Sequence, residues 1–154
     1  MAEQDNAHCE CGKSSFRIDG KPLIRGYCHC TICQRFNQAA FSDISVYRLS
    51  DVSMPDDSLV DYQVYAKPGF VQRGKCKACG KPAIEKLRLP GLPKMVIVPS
   101  QNVQDPALLA APQLHAFYDT RVADVDDGLP KYSGYLKSQT VFTFKMLAAL
   151  LRGR

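Results

Sequence analysis

The stretch Cys28-His29-Cys30-Thr31-Ile32-Cys33 places three thiols within six residues. Two further groups flank it, Cys9-Glu10-Cys11-Gly12 before it and Cys76-Lys77-Ala78-Cys79-Gly80 after it. The three groups together hold all seven cysteines of the chain. Because thiolates are soft ligands that suit Zn²⁺, this series of CxC, CxCxxC and CxxC motifs predicts a zinc protein.

Seven ligands divide naturally into four and three. Two paired motifs make one closed tetrahedral site, as in a structural zinc site. The central motif is the only compact triple, and three ligands leave one position open, as in a catalytic zinc site. The sequence therefore predicts two zinc ions per chain. The structural ligands are Cys9, Cys11, Cys76 and Cys79, and the ligands of the open site are Cys28, Cys30 and Cys33.

Other interpretations of the cysteines are weaker but stay open. A single four-cysteine zinc site with three ordinary buried cysteines would not require the three to cluster. A disulfide or redox CxxC lacks the βαβ pattern that usually surrounds it. His29 lies one residue from each of two ligands, so its side chain is expected to point away from them. His8 and His115 are isolated in the sequence, and no role is assigned to them.

Length and composition predict one globular domain over residues 1–154. Hydrophobic residues make up 45% of the chain, the usual share for a globular protein. The polar N-terminus and the lack of a long apolar run predict a cytoplasmic protein without membrane association. The net charge of +5 comes from scattered Lys and Arg, and thiolate ligands would remove much of it. Nucleic-acid binding is therefore disfavoured.

The hydropathy pattern predicts a mainly β fold with short peripheral helices. Polar and apolar residues alternate in several segments, as in half-buried strands. Residues 95–98 are apolar on both faces, which predicts a fully buried strand. Residues 114–118 form a candidate edge strand, and residues 105–110 begin like a short helix.

A short amphipathic helix is predicted to close the chain. Phe144, Leu147, Ala148 and Leu151 follow helical spacing. Packing of this stripe on the sheet is favoured over membrane or partner binding, because the stripe has ordinary width.

The motifs resemble those of the glutathione-dependent formaldehyde-activating enzymes, which share the Mss4-like zinc fold with centromere protein V. The family order is CxCG, CHCxxC with basic residues after it, an Arg before CxxCG, and a DGLP-type segment. The last two elements match Arg73 and Asp127-Gly128-Leu129-Pro130 here. The resemblance covers residues 8–133 and leaves residues 134–154 as an extension. The family often has a basic residue where this chain has Gln34 and an aromatic residue where it has Lys75.

The resemblance implies small antiparallel β-sheets stapled by zinc, the same division of ligands, and catalysis at Cys28, Cys30 and Cys33. It also implies a carbon–sulfur lyase that joins glutathione to formaldehyde. Zinc would either hold the thiol as a thiolate or polarise the aldehyde, and its three thiolate ligands favour the first role. Arg35 is a candidate for binding a glutathione carboxylate. The alternative is a non-catalytic zinc module that binds a protein or thiol. The sequence does not predict an oligomeric state.

Overall fold

A computed structural model describes residues 4–153. In this part of the chain ten strands and two α-helices are formed. The strands are β1 (Ala7–His8), β2 (Ser15–Ile18), β3 (Ile24–Cys28), β4 (Ser42–Arg48), β5 (Val52–Ser53), β6 (Val60–Gln63), β7 (Val71–Cys76), β8 (Pro82–Leu87), β9 (Met95–Pro99) and β10 (His115–Ala116). The helices are α1 (Thr31–Asn37) and α2 (Tyr135–Arg152). The predicted mainly β fold is confirmed.

The strands form one large and one small sheet. The large sheet has seven strands in the order β10-β3-β4-β9-β8-β7-β6, and the small sheet has the order β1-β2-β5. All pairings of named strands are antiparallel except that of β10 with β3. The prediction of antiparallel sheets is therefore confirmed, with one parallel pair at the edge.

Strand β9 lies at the centre of the large sheet and is buried along its whole length, as its sequence predicts. Its alternate side chains enter two hydrophobic clusters. Met95 and Ile97 pack in the cluster that contains Met146 of α2. Val96 and Val98 pack in the cluster that contains Phe16 of the small sheet. The large sheet is thus covered by α2 on one face and by the small sheet on the other.

The C-terminal helix is present but longer than predicted. The face that packs on the sheet is not the predicted one. Phe144 and Leu151 are 72% and 87% exposed, whereas Met146 and Ala149 are buried against the sheet. Helix α2 is apolar on both sides, so periodicity could not decide which side meets the core. No helix within residues 4–153 has the length and hydropathy needed to cross a bilayer.

The predicted edge strand over residues 114–118 is reduced to β10, which pairs in parallel with the end of β3. This register places His115 opposite Tyr27 and Ala116 opposite Cys28. Only a single 3-10 turn, Pro106–Leu108, forms in the predicted helix over residues 105–110. The edge pairing matters for function because it carries His115 to the start of the central cysteine motif.

Candidate functional site

Four cysteines from two hairpin turns come together at one end of the small sheet. Cys9 and Cys11 lie in the turn between β1 and β2, and Cys76 and Cys79 lie where β7 turns into β8. Their Sγ atoms all lie within 4.8 Å of one another, with Cys9 to Cys11 at 3.5 Å and Cys11 to Cys76 at 3.8 Å. We call these four residues the closed group. They are placed so that they can hold a metal ion.

Each pair of the closed group sits on a tight turn that ends in a glycine. The Gly12 N–H donates to the Cys9 carbonyl at 3.0 Å, and the Gly80 N–H donates to the Cys76 carbonyl at 2.8 Å. Gly80 has a φ of +72°, in the left-handed region that a side chain disfavours. The local sequence therefore explains why both pairs of thiols project toward the same point.

The central motif forms the second group, which we call the open group. Cys28 ends β3, Cys30 caps the N-terminus of α1, and Cys33 lies in its first turn. The three Sγ atoms lie within 4.8 Å of one another and can hold a metal ion. Cys28 and Cys33 are buried, and Cys30 is half-buried. The predicted helical turn after Cys33 thus begins inside the motif, because Cys30 accepts a hydrogen bond from the Cys33 N–H at 3.3 Å.

One thiol of the open group is acidic. Hydrogen bonds with Cys28 and Cys33 lower the pKa of Cys30 to about 3. Hydrogen bonds with Cys30 and Cys33 raise the pKa of Cys28 well above its usual value. The hydrogen bonds within the group therefore favour the thiolate form at Cys30 and oppose it at Cys28.

The positively charged partner of a buried ion pair lies beside the open group. The Nη1 of Arg73 lies 3.8 Å from the Cys33 Sγ and donates to Glu85 Oε1 at 3.0 Å. Glu85 is 2% exposed, and its Oε2 has no hydrogen-bond partner among the described residues. Burial opposes the charge of Arg73, but Glu85 and Cys33 raise its pKa, so the guanidinium stays protonated. Burial raises the pKa of Glu85, and Arg73 opposes that shift.

An aromatic pair with cations around it forms the rim of the open group. Phe36 of α1 is buried and packs edge-on against Tyr65, with ring centroids 5.5 Å apart. The Arg35 Cζ lies 5.7 Å from the Tyr65 ring centroid, and the Lys75 Nζ lies 5.6 Å from that of Phe36. Arg35, the predicted substrate-binding residue, is exposed beside Tyr65.

His29 turns away from the cysteines, as its position predicts, and enters an aromatic cluster. Its ring centroid lies 4.9 Å from Phe41, 5.0 Å from His115 and 5.2 Å from Tyr118. The His29 Nε2 is 2.8 Å from the His115 Nδ1, and the His115 Nε2 is 2.6 Å from Asp127 Oδ2. Burial, and then the neighbouring His115, lower the pKa of His29 to about 4.

The backbone of His29 is also fixed. Its carbonyl accepts from Gln34 Nε2 and from Thr120 Oγ1, both at 2.8 Å. Its N–H donates to the Ala116 carbonyl at 3.0 Å. The residue between two thiols of the open group is therefore held by β10 and by the segment that follows it.

The structure brings together each of the two predicted groups of cysteines. Several residues around them were not predicted from the sequence. Arg73 and Asp127 appeared only as members of matching motifs, without a role. Glu85 gave no signal, because it occupies an ordinary position in an alternating strand. His115 was given no role, and only the parallel pairing of β10 with β3 brings it to His29.

Comparison with known proteins supports a family assignment. A family model described as glutathione-dependent formaldehyde-activating enzyme matches residues 4–120. No curated protein matches the chain. A crystal structure of a Rhodobacter sphaeroides protein is similar at 17% identity and a TM-score of 0.51, covering 66% of this chain and 91% of that one. At this identity the similarity concerns the fold alone.

Proposed function

The chain belongs to the glutathione-dependent formaldehyde-activating enzyme family, and from this premise we propose that it is a zinc-dependent carbon–sulfur lyase. Its reaction would join glutathione, or a similar thiol, to formaldehyde or a related small aldehyde. The observation that carries the proposal is the open group of three thiols beside the buried guanidinium of Arg73.

The thiols fit zinc. Tetrahedral zinc with Zn–S bonds of about 2.3 Å places its sulfur ligands roughly 3.8 Å apart. The closed group has Sγ separations of 3.5 and 3.8 Å, and both groups keep every Sγ pair within 4.8 Å. We assign the structural zinc to Cys9, Cys11, Cys76 and Cys79 and the open zinc to Cys28, Cys30 and Cys33.

Three thiols occupy only three of the four positions of a tetrahedral zinc ion, so the fourth would be taken by a further ligand. When bound there, zinc favours the thiolate form of a thiol and positions its sulfur as a nucleophile. Cys28, Cys30 and Cys33 together with a fourth thiolate carry more negative charge than a divalent ion neutralises. Arg73, close to Cys33, offsets part of that excess at short range.

The proposed reaction balances without an oxidant or reductant. The thiol loses its proton, its sulfur forms a bond to the aldehyde carbon, and the carbonyl π bond opens. The carbonyl oxygen then takes up one proton, which gives a hydroxymethyl thioether. The reverse steps release the aldehyde, which is the direction that defines a carbon–sulfur lyase.

The rim supplies groups that suit the carboxylates of glutathione. Arg35 is exposed and can meet a carboxylate with two parallel hydrogen bonds. Lys75 stands beside the same aromatic pair and adds a second positive charge. We propose Arg35 as the main carboxylate-binding residue and Lys75 as its supplement.

Exchange NMR with ¹³C-formaldehyde and glutathione tests the proposal, because it measures formation and breakdown of the adduct at equilibrium. The purified chain should accelerate exchange above the spontaneous rate, and Cys30→Ser at equal concentration should not. Native mass spectrometry would be run on the same samples. Two zinc ions with no acceleration would reject the enzyme and favour the non-catalytic module.

A further inference from the structure

Both peptide units between the first two thiols of the open group are hydrogen-bonded to residues outside the CxCxxC motif. The His29 N–H donates to the Ala116 carbonyl at 3.0 Å. The His29 carbonyl accepts from Gln34 Nε2 and from Thr120 Oγ1, both at 2.8 Å. Because the direction of a ligand side chain depends on the backbone that carries it, these bonds orient the two thiols on either side of His29.

Gln34 joins the open group to a separate segment, residues 117–120, which we call the strap. Its Nε2 donates to the carbonyls of His29 and Thr120, each at 2.8 Å. A carbonyl oxygen only accepts, so the amide nitrogen must face both of them. The Thr120 Oγ1 lies 2.8 Å from the same His29 carbonyl and 3.0 Å from the Phe117 carbonyl. Two side chains therefore connect one carbonyl of the motif to the strap.

The strap is in turn anchored at the start of α2. The Phe117 N–H donates to Ser138 Oγ at 2.8 Å, and the Gly134 N–H donates to Asp119 Oδ1 at 2.7 Å. Phe117 has a φ of +56°, in the left-handed region that a bulky side chain disfavours, so surrounding contacts must hold it there. Ser138 is 1% exposed, which makes it a firm anchor. Helix α2 lies beyond the residues that the family model matches.

We propose that Gln34 and Thr120 are positioning residues that clamp the open group to the strap and thereby slow the release of zinc from it. The three thiols come from the junction of β3 and α1, and such a junction can open without unfolding of the sheet. Helix α2 anchors the strap, which gives the C-terminal extension a function in metal retention. Retention rests on the proposed function, which assigns zinc to the open group, but it does not require turnover.

Zinc release is measured by mixing the zinc-loaded chain with an excess of a chromophoric chelator. The phase of release that Cys30→Ser lacks comes from the open group. Gln34→Glu keeps the size of the side chain but replaces its donor by an oxygen that only accepts. Release from the open group should become at least about tenfold faster, the usual effect of removing a group that orients a metal ligand. Release from the closed group should be unchanged.

Gln38→Glu is the matched control, because it adds the same charge at an exposed position at the end of α1. It should leave both release rates unchanged. Gln34→Met removes the two hydrogen bonds without adding a charge and should also speed release from the open group. It tests the same bonds if Gln34→Glu does not fold. A folded Gln34→Met protein with the wild-type release rate would overturn the clamp.

Two further pairs of variants test the strap and its anchor. Thr120→Val should speed release from the open group about fivefold, the effect of losing one neutral hydrogen bond, and Thr120→Ser should restore slow release. Ser138→Ala should act in the same direction, whereas Thr140→Ala, at an exposed position of α2, should not. Circular dichroism shows that each variant is folded. A folded Ser138→Ala protein with the wild-type release rate would overturn the anchoring role of α2.

Turnover and zinc content are measured on the same samples. A wild-type chain that binds two zinc ions without turnover would reject the lyase, and the release rates would still decide whether the strap retains zinc. A wild-type chain that turns over but releases zinc no more slowly than Gln34→Met would keep the enzyme and overturn the clamp.

Discussion

The closed and open groups contain the same kind of ligand but differ in how the fold builds them. The closed group joins two hairpin turns, and Cys11 and Cys76 are 65 residues apart in sequence. The open group comes from six consecutive residues at the junction of β3 and α1. The first therefore constrains the chain over a long distance, whereas the second constrains almost nothing beyond its own loop.

Their surroundings differ in the same sense. The closed group packs against small apolar residues such as Val60 and Ala83. The open group has the buried guanidinium of Arg73 beside it, and His29, between two of its thiols, is hydrogen-bonded to His115 and through it to Asp127. Buried charged groups are costly to maintain, so they concentrate where chemistry requires them. We therefore propose that the closed group serves stability and the open group serves reactivity.

The largest effect is expected from loss of the closed group. Cys76→Ser should lower the free energy of unfolding by at least about 3 kcal/mol, because the energy of a structural metal site is folding energy. Thermal unfolding followed by circular dichroism measures this loss. A Cys76→Ser protein as stable as the wild type would contradict the structural role of the closed group.

Cys30→Ser is the matched substitution in the open group. It should give a folded protein that has lost one zinc ion and its activity, with a stability loss of about 1 kcal/mol, because the three ligands are already local. Native mass spectrometry and thermal unfolding measure the two quantities. If Cys30→Ser unfolds the chain while Cys76→Ser does not, the roles of the two groups are reversed.

The cysteine ligands could be predicted because the cysteines of each motif are close in sequence. The residues that surround them in the fold could not. The tight turns that end at Gly12 and Gly80 bring together the two thiols of each pair through local hydrogen bonds. Glu85 and His115 become important only through strand register, which pairs β7 with β8 and β10 with β3. The packed face of α2 was predicted wrongly for a similar reason. Both sides of the helix are apolar, and only tertiary packing determines which side contacts the sheet.

Arg73→Gln separates stability from activity within the open group. The substitution removes the positive charge near Cys33 and leaves the buried carboxyl group of Glu85 without its partner. The free energy of unfolding should fall by about 3 kcal/mol. The double variant Arg73→Gln/Glu85→Gln removes the unpaired charge and should recover most of that stability without recovering activity. Urea unfolding and exchange NMR measure the two properties. Recovery of both would show that Arg73 serves the fold alone.

The buried His29 should make stability depend on pH. Its pKa in the fold is about 4, below the ordinary value of about 6.5. The unfolded chain therefore binds the proton first, and stability falls as the pH is lowered from about 6.5 and levels off near 4. The slope should approach 1 kcal/mol per pH unit. His29→Phe should flatten this limb when unfolding is compared at equal zinc content, and an unchanged slope would exclude His29 as its cause.

The smallest effect is expected at the rim. Arg35 is exposed, so its interaction with a substrate carboxylate competes with water and is screened by salt. Arg35→Gln should raise KM for glutathione about three- to tenfold and leave kcat unchanged, which corresponds to roughly 1 kcal/mol of binding free energy. Lys145→Gln on α2 removes the same charge away from both cysteine groups and should leave KM unchanged. A fall in kcat without a change in KM would contradict a role in binding alone. It would indicate that Arg35 takes part in the chemical step at the open group.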